Sequence, residues 1–206
     1  MPDEVLRPRK SPQQARSAAT IEVILEAATR VLTEESLSGF NTNRIAQVAG
    51  VSVGSVYQYF PNKAALVTTL IERTQTSLAD AVDFCVVHSQ GKSLAAVLLE
   101  LANIAITHQF GNPVFAAALD HEERRLPLGD VLSRAQERLS TSIQLLLTEH
   151  RQDIGAPLPA AAAVDCLMIV KALVESEASR AVPDLDALRE RVVRTLHGYL
   201  LQPGSR

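Results

Sequence analysis

Residues 42–63 read TNRIAQVAGVSVGSVYQYFPNK. Thr42 is placed to cap a short helix whose inward residues are Ile45, Ala46, Val48 and Ala49. Gly50 supplies a residue that tolerates positive φ, which a sharp turn requires, and Val51 is an apolar plug beside it. Ser52 is placed to cap a second helix running to about Phe60, and Pro61 stops that helix. Two short helices around a tight turn predict a helix–turn–helix, whose second helix lies in the major groove of DNA. On that helix Val56 and Phe60, four apart, form the buried face, with Val53 near its edge. This leaves Gly54, Ser55, Tyr57, Gln58 and Tyr59 to turn outward. The chemistry suits a reader of duplex DNA. Gln pairs with an adenine edge, Ser bonds several edges, a tyrosine hydroxyl suits phosphate, and glycine lets the backbone approach closely.

The same run contains GxSxG at Gly50–Gly54, the spacing of a nucleophile elbow. An elbow needs a buried strand before the serine and a triad histidine and acid after it. Arg44–Ala49 reads as helix and no segment shows strand alternation, so the serine is a helix cap.

Outward from the motif the chain reads as helix throughout. Upstream, Ile21, Ile24, Leu25, Ala28, Val31 and Leu32 share one face of a helix from about Gln13 that Ser38-Gly39 ends. Downstream, Asn62 caps a long helix to about Val87, and a helix from Ser93 to Phe110 is apolar nearly all round, predicting a central, buried position. Further helices are expected at about 114–124, 128–151, 160–180 and 184–201. The fold class is all-α, with a three-helix head followed by a helical body, eight to nine helices in total. The division falls into residues 1–61 and 62–206.

Composition agrees. Hydrophobic content of 47% supplies a core and 21% charge argues against disorder. No apolar run reaches the ~18 residues of a membrane span. MPDEVLRPRKSP has no apolar signal region, which predicts a cytoplasmic chain without a membrane partner. The net charge of −3 is unevenly spread: residues 1–63 hold seven Lys/Arg against six Asp/Glu, and the remainder thirteen against seventeen. Arg7, Arg9, Lys10 and Arg16 fall between Val5 and Thr20 with no acid among them. Local positive potential at the head is what a DNA-binding module requires.

The run Thr42-x-x-Ile45-Ala46-x-x-Ala49-Gly50-Val51-Ser52-x-Gly54-x-Val56-Tyr57-x-Tyr59-Phe60-x-x-Lys63-x-x-Leu66 resembles the DNA-binding head of the tetracycline-repressor (TetR) family. The resemblance implies a homodimer that binds a palindromic double-stranded operator and releases it when a small-molecule effector enters the body. It implies phosphate clamps at Thr42 and Lys63, base-edge and backbone contacts at Asn43 and Arg44, and a recognition surface of Val53, Ser55, Tyr57, Gln58 and Tyr59. Ser52 and Gly54 complete the DNA-facing set, and Arg9 and Lys10 are candidates for a minor groove or the phosphates. An activator or a ligand-independent regulator shares this head. So would an all-α carrier or enzyme bearing the motif, but no catalytic constellation supports an enzyme.

In the body, Glu100, Asn103 and Thr107 form a polar stripe on an otherwise apolar helix, and Phe84, Phe110 and Phe115 are candidate cavity walls. Few aromatics and no Trp argue against an aromatic cage for cations. The five histidines and two cysteines have no metal-ligand spacing, so neither metal nor cofactor is expected. Cys85 and Cys166 read as buried reduced thiols. The two Ala- and Leu/Val-faced helices within residues 160–201 are the expected dimer interface.

Overall fold

The computed structural model describes residues 15–154 and 157–201. Arg9 and Lys10 lie outside the described residues. The elements are α1 (Ala15–Gly39), α2 (Thr42–Ala49), α3 (Val53–Tyr59), α4 (Lys63–Val87), α5 (Leu94–Phe110), α6 (Pro113–Glu123), α7 (Gly129–Glu149), α8 (Arg151–Ile154), α9 (Ala162–Ala178) and α10 (Leu185–Leu200). Among the described residues there is no strand. Helices among the described residues number ten rather than eight or nine. The helix expected through Arg151 stops at Glu149, and a single extra turn, α8, follows. The His150 carbonyl accepts from Asp153 and Ile154 at 3.0 and 3.1 Å, and Ile154 is buried, which holds that turn in place.

The chain divides into two compact units. The first comprises the described parts of Met1–Thr74 and Asn112–Val131, the second those of Gln75–Gly111 and Leu132–Arg206. In the first, Ile24, Leu25, Ala28, Val31 and Leu32 of α1 are buried as their spacing predicts, together with Phe40, Ile45, Val56, Phe60 and Leu66. Burying an aromatic the size of Phe60 stabilises by about 1.5–3 kcal/mol, a large share for so small a core. α6 packs on α1. Asn112 caps α6 by accepting from the Phe115 N–H, and its amide donates to Thr33 Oγ1 at 2.8 Å.

α1 is interrupted at Ser36, whose backbone sits at φ 56°, ψ −166°. That region is open almost only to glycine, and a side chain there costs on the order of 1–3 kcal/mol. Three residues on, Gly39 is required by contact, because a Cβ there meets Glu35 Cβ at 2.4 Å.

In the second unit the core is drawn from α4, α5, α7, α9 and α10, with Val97, Leu146, Leu188, Val192 and Leu200 at its centre. α5 packs against α9 and α10. It is not buried all round as its composition predicts: Leu99, Asn103 and Thr107 are exposed. The α9–α10 turn is fixed by Glu177, which has no exposed surface. Its Oε1 accepts the Asp184 N–H at 2.8 Å, and Oε2 accepts from Arg191 Nη2 at 2.9 Å, with Arg180 Nε at 3.5 Å. The Asp184 amide, then the two guanidinium groups, hold the carboxyl below the usual carboxylate range.

Candidate nucleic-acid interface and effector cleft

The turn of the motif is built as the sequence predicts. Gly50 sits at φ 66°, ψ 28°. Its N–H donates to Gln47 O at 3.3 Å while the Val51 N–H reaches back to Ala46 O at 3.0 Å, a Schellman termination. Ser52 Oγ accepts the Ser55 N–H at 3.0 Å and caps α3, with Ser55 Oγ 2.7 Å away. The cap of α2 is a correction: it is Asn41, whose Oδ1 accepts the Arg44 N–H at 2.9 Å, not Thr42. Two adjacent cap-capable residues made the reading ambiguous by one position. Thr42 is thereby released, and its hydroxyl lies 3.1 Å from Tyr57 Oη on the next helix.

Asn43, Gly54, Tyr57 and Gln58 are exposed, and Thr42, Val53 and Ser55 are half-buried. Tyr59 departs from expectation. It is 7% exposed, inside with Val56 and Phe60 rather than facing outward. On a helix, residues three and four apart share a face, so Val56 carries both 59 and 60 inward. Arg44 is engaged within the protein: Nε donates to Glu35 Oε1 at 2.6 Å and Nη1 to Gln47 Oε1 at 3.1 Å. Lys63 Nζ lies 5.3 Å from the Phe40 ring centroid, a cation–π distance. Sequence reasoning missed Asn41 and Glu35. The first was signalled by its place just before the helix; the second had no local signal, since its partner lies nine residues away.

The second unit contains an open cleft of about 400 Å³. Ala81, Phe84, Cys85 and His88 line one side, and Lys92, Glu100, Asn103 and Ile104 the other. The structure therefore gathers Phe84, Glu100 and Asn103 of the expected ligand set. Thr107 and Phe110, farther along α5, do not line the cleft; Phe110 packs against the body core. Phe115, on α6, belongs to the first unit. Glu100 is ten residues from Phe110, or about 15 Å of helix, and one pocket does not span both.

Lys92 donates to both Glu100 oxygens, at 2.8 and 2.7 Å, and this holds the Glu100 carboxyl below its usual range. Cys85 Sγ donates to Glu100 Oε2 at 3.6 Å. Burial first, then the Glu100 charge, pushes the Cys85 thiol up to about 11. Burial and then Asp165 do the same for Cys166, to about 11. Both thiols stay protonated at neutral pH and are poor nucleophiles.

Comparison with known proteins decides the family. The family model "Bacterial regulatory proteins, tetR family" matches residues 24–70, and "Tetracyclin repressor-like, C-terminal domain" matches residues 93–200, which is more than half of the chain. The chain belongs to the TetR family. A solved TetR-family transcriptional regulator from Streptomyces coelicolor superposes with a TM-score of 0.68 at 21% identity, covering 92% of this chain and 100% of that one. The multidrug binding protein EbrR, solved in complex with imidazole, superposes at 0.61 with 19% identity, covering 84% and 93%. At such identities the likeness shows the TetR fold alone. In sequence, nucleoid occlusion factor SlmA from Glaesserella parasuis serovar 5 (strain SH0165) is 29% identical over 83 residues, 40% of each chain. The match thus spans about two fifths of that relative's length. The TetR family is one of transcriptional regulators rather than enzymes. TetR-family regulators bind DNA as dimers and bind small-molecule ligands. Among the described residues no single helix is long and apolar enough to cross a membrane.

Proposed function

We propose that this TetR-family chain is a cytoplasmic, homodimeric, ligand-responsive repressor without enzymatic activity. It occupies a palindromic operator through a head of residues 1–61 and senses an effector through a body of residues 62–206. The observation that carries the operator reading is the pairing of Thr42 and Tyr57 hydroxyls, 3.1 Å apart, beside exposed Asn43, Gly54 and Gln58. Two hydroxyls that satisfy each other in the free protein are set to turn onto one phosphate oxygen in the complex. Lys63 supplies a positive charge at the start of α4. Val53 and Ser55 flank this surface, Ser52 holds it by capping, and Arg44 joins it on leaving Glu35. Tyr59 supports the surface from inside.

Dimerisation through residues 160–201 is supported by Val164 and Met168, one helical turn apart on α9 and 37% and 53% exposed. Apolar side chains at that spacing suit a four-helix contact with a second copy. The effector site is the cleft at Phe84, Glu100 and Asn103. α4 carries both Lys63 and Phe84, so an effector that binds better to one placement of that helix shifts DNA affinity, by on the order of 1–3 kcal/mol.

The test is selection of a binding site from randomised duplexes, followed by titration over a range of salt. Binding to a palindrome with a steep salt slope is expected, and Lys63→Ala lowers the slope by ~0.9 for one lost phosphate contact. A wild-type protein that selects no site, or a slope unmoved by Lys63→Ala, overturns the operator reading or the clamp respectively.

A further inference from the structure

At the mouth of the cleft one ammonium spans both oxygens of one carboxylate, with Lys92 Nζ 2.8 Å from Glu100 Oε1 and 2.7 Å from Oε2. The two partners are held differently. Lys92 belongs to the α4–α5 turn, next to Gly91 at φ 79°, and its flexible stem swings into water at little cost. Glu100 is fixed on α5, where the Cys85 thiol also donates to it at 3.6 Å. Across from it the Phe84 ring is 66% exposed and stacks on His88 with centroids 4.0 Å apart. His88 Nδ1 lies 2.8 Å from the Phe84 carbonyl, which only accepts, so the proton is on that nitrogen and the imidazole is locked against the ring. Asn103 is committed to Arg189, whose Nε donates to its Oδ1 at 2.6 Å.

These holdings discriminate between ligand charges. An anion entering the cleft draws Lys92 away from Glu100 and sits beside the carboxylate it has exposed. A neutral ligand leaves the ion pair in place and gains only the Phe84 face. A cation with N–H donors takes over both Glu100 oxygens while Lys92 moves into water, so that the fixed carboxylate never loses its counter-charge. A planar amidinium or guanidinium matches a carboxylate by two parallel bonds, and an attached ring lies against Phe84.

We propose that the cleft binds a flat aromatic cation with N–H donors, of the amidine, guanidine or primary-amine class, whose charge replaces the Lys92 ammonium on Glu100. Lys92 is then an internal stand-in for the ligand. One aromatic wall with a carboxylate differs from the multi-aromatic cage that the composition argues against. The assignment rests on the reading of this cleft as the effector site. The cleft volume of about 400 Å³ falls at the small end of the ~300–1,000 Å³ usual for ligand sites.

The experiment is calorimetric titration of the full chain with benzamidine, neutral benzamide and anionic benzoate. Benzamidine is expected to bind at least tenfold more tightly than either. Glu100→Gln should weaken benzamidine at least tenfold and leave benzamide unchanged, and Phe84→Ala should weaken both. Lys92→Ala should tighten benzamidine severalfold by removing its competitor, with a circular dichroism melt confirming the fold. Tightest binding of benzoate, equal binding of all three, or weaker benzamidine binding in folded Lys92→Ala overturns the proposal. Because the titration needs no DNA, the two readings fail separately. If benzamidine binds as described but operator affinity is unchanged, only the effector reading fails. If another compound releases operator while benzamidine is ignored, only this ligand class fails.

Discussion

Tyr57 and Tyr59 stand two residues apart with the same side chain, one exposed and the other buried. Tyr59 is 7% exposed and Tyr57 43% exposed. Truncating a buried aromatic to alanine costs about 3–5 kcal/mol through lost transfer energy and the cavity left behind. In a chain of this size each kcal/mol moves the melting temperature by about 2–4 °C, so Tyr59→Ala should melt roughly 6–20 °C early. Its loss of DNA binding should follow unfolding and be recovered on cooling. Tyr57→Ala removes a half-exposed ring and a solvent-accessible bond to Thr42, worth under about 1.5 kcal/mol. On the proposed operator reading its cost should appear on DNA instead. A lost hydrogen bond to a charged phosphate is worth about 1.5–3 kcal/mol, or roughly 10–150-fold in affinity. Tyr57→Phe isolates the hydroxyl and should account for most of that loss. Thermal melts by circular dichroism and anisotropy of a labelled selected duplex, run on the same preparations, separate the two effects. If Tyr59→Ala leaves the melt unchanged and Tyr57→Ala lowers it, the inward–outward assignment on α3 is wrong.

Ser36→Gly should stabilise the protein by up to about 2.5 kcal/mol, the relieved strain less the ~0.5–1 kcal/mol entropy cost of glycine, whereas Ser36→Ala should give no gain in urea denaturation. Gly50→Ala should cost about 1–2 kcal/mol in the same assay from backbone conformation alone, since no atom lies within 4 Å of the added Cβ. Glu177 titrates below its unfolded value of about 4.3, so its stabilisation is complete above that pH and is lost as pH falls through the lower folded value. Stability measured against pH should therefore show an acid limb beginning near pH ~4.3 that is shallower in Glu177→Gln.

The legible parts of this chain were those encoded within a few residues. Gly50, Ser52 and Asn62 act through backbone groups three to five positions away, and each does in the structure what its type predicts. Misreadings arose where side-chain chemistry was weighed above helical geometry. A tyrosine hydroxyl argued that Tyr59 faces out, but the position three residues after Val56 decided otherwise. Phe110 and Phe115 look like cavity walls by type, yet one packs into the body core and the other belongs to a different unit. Glu35 and Lys92 were invisible as site residues because each acquires meaning only from a charged partner on another element. The strain at Ser36 is likewise unreadable, since nothing in the letter S announces a positive φ.

The first compact unit is not contiguous along the chain. It takes residues up to Thr74 and then needs Asn112–Val131, with part of the other unit between them. During synthesis the ribosome delivers the whole helix–turn–helix before α6 exists. At ~5–20 residues per second, the stretch from Thr74 to Val131 takes roughly 3–11 s to emerge. For that interval the α1 surface that packs on α6 is without its cover, and Thr33 is without the Asn112 amide. The first compact unit is therefore completed only once Val131 has emerged, well after the helix–turn–helix itself has been made.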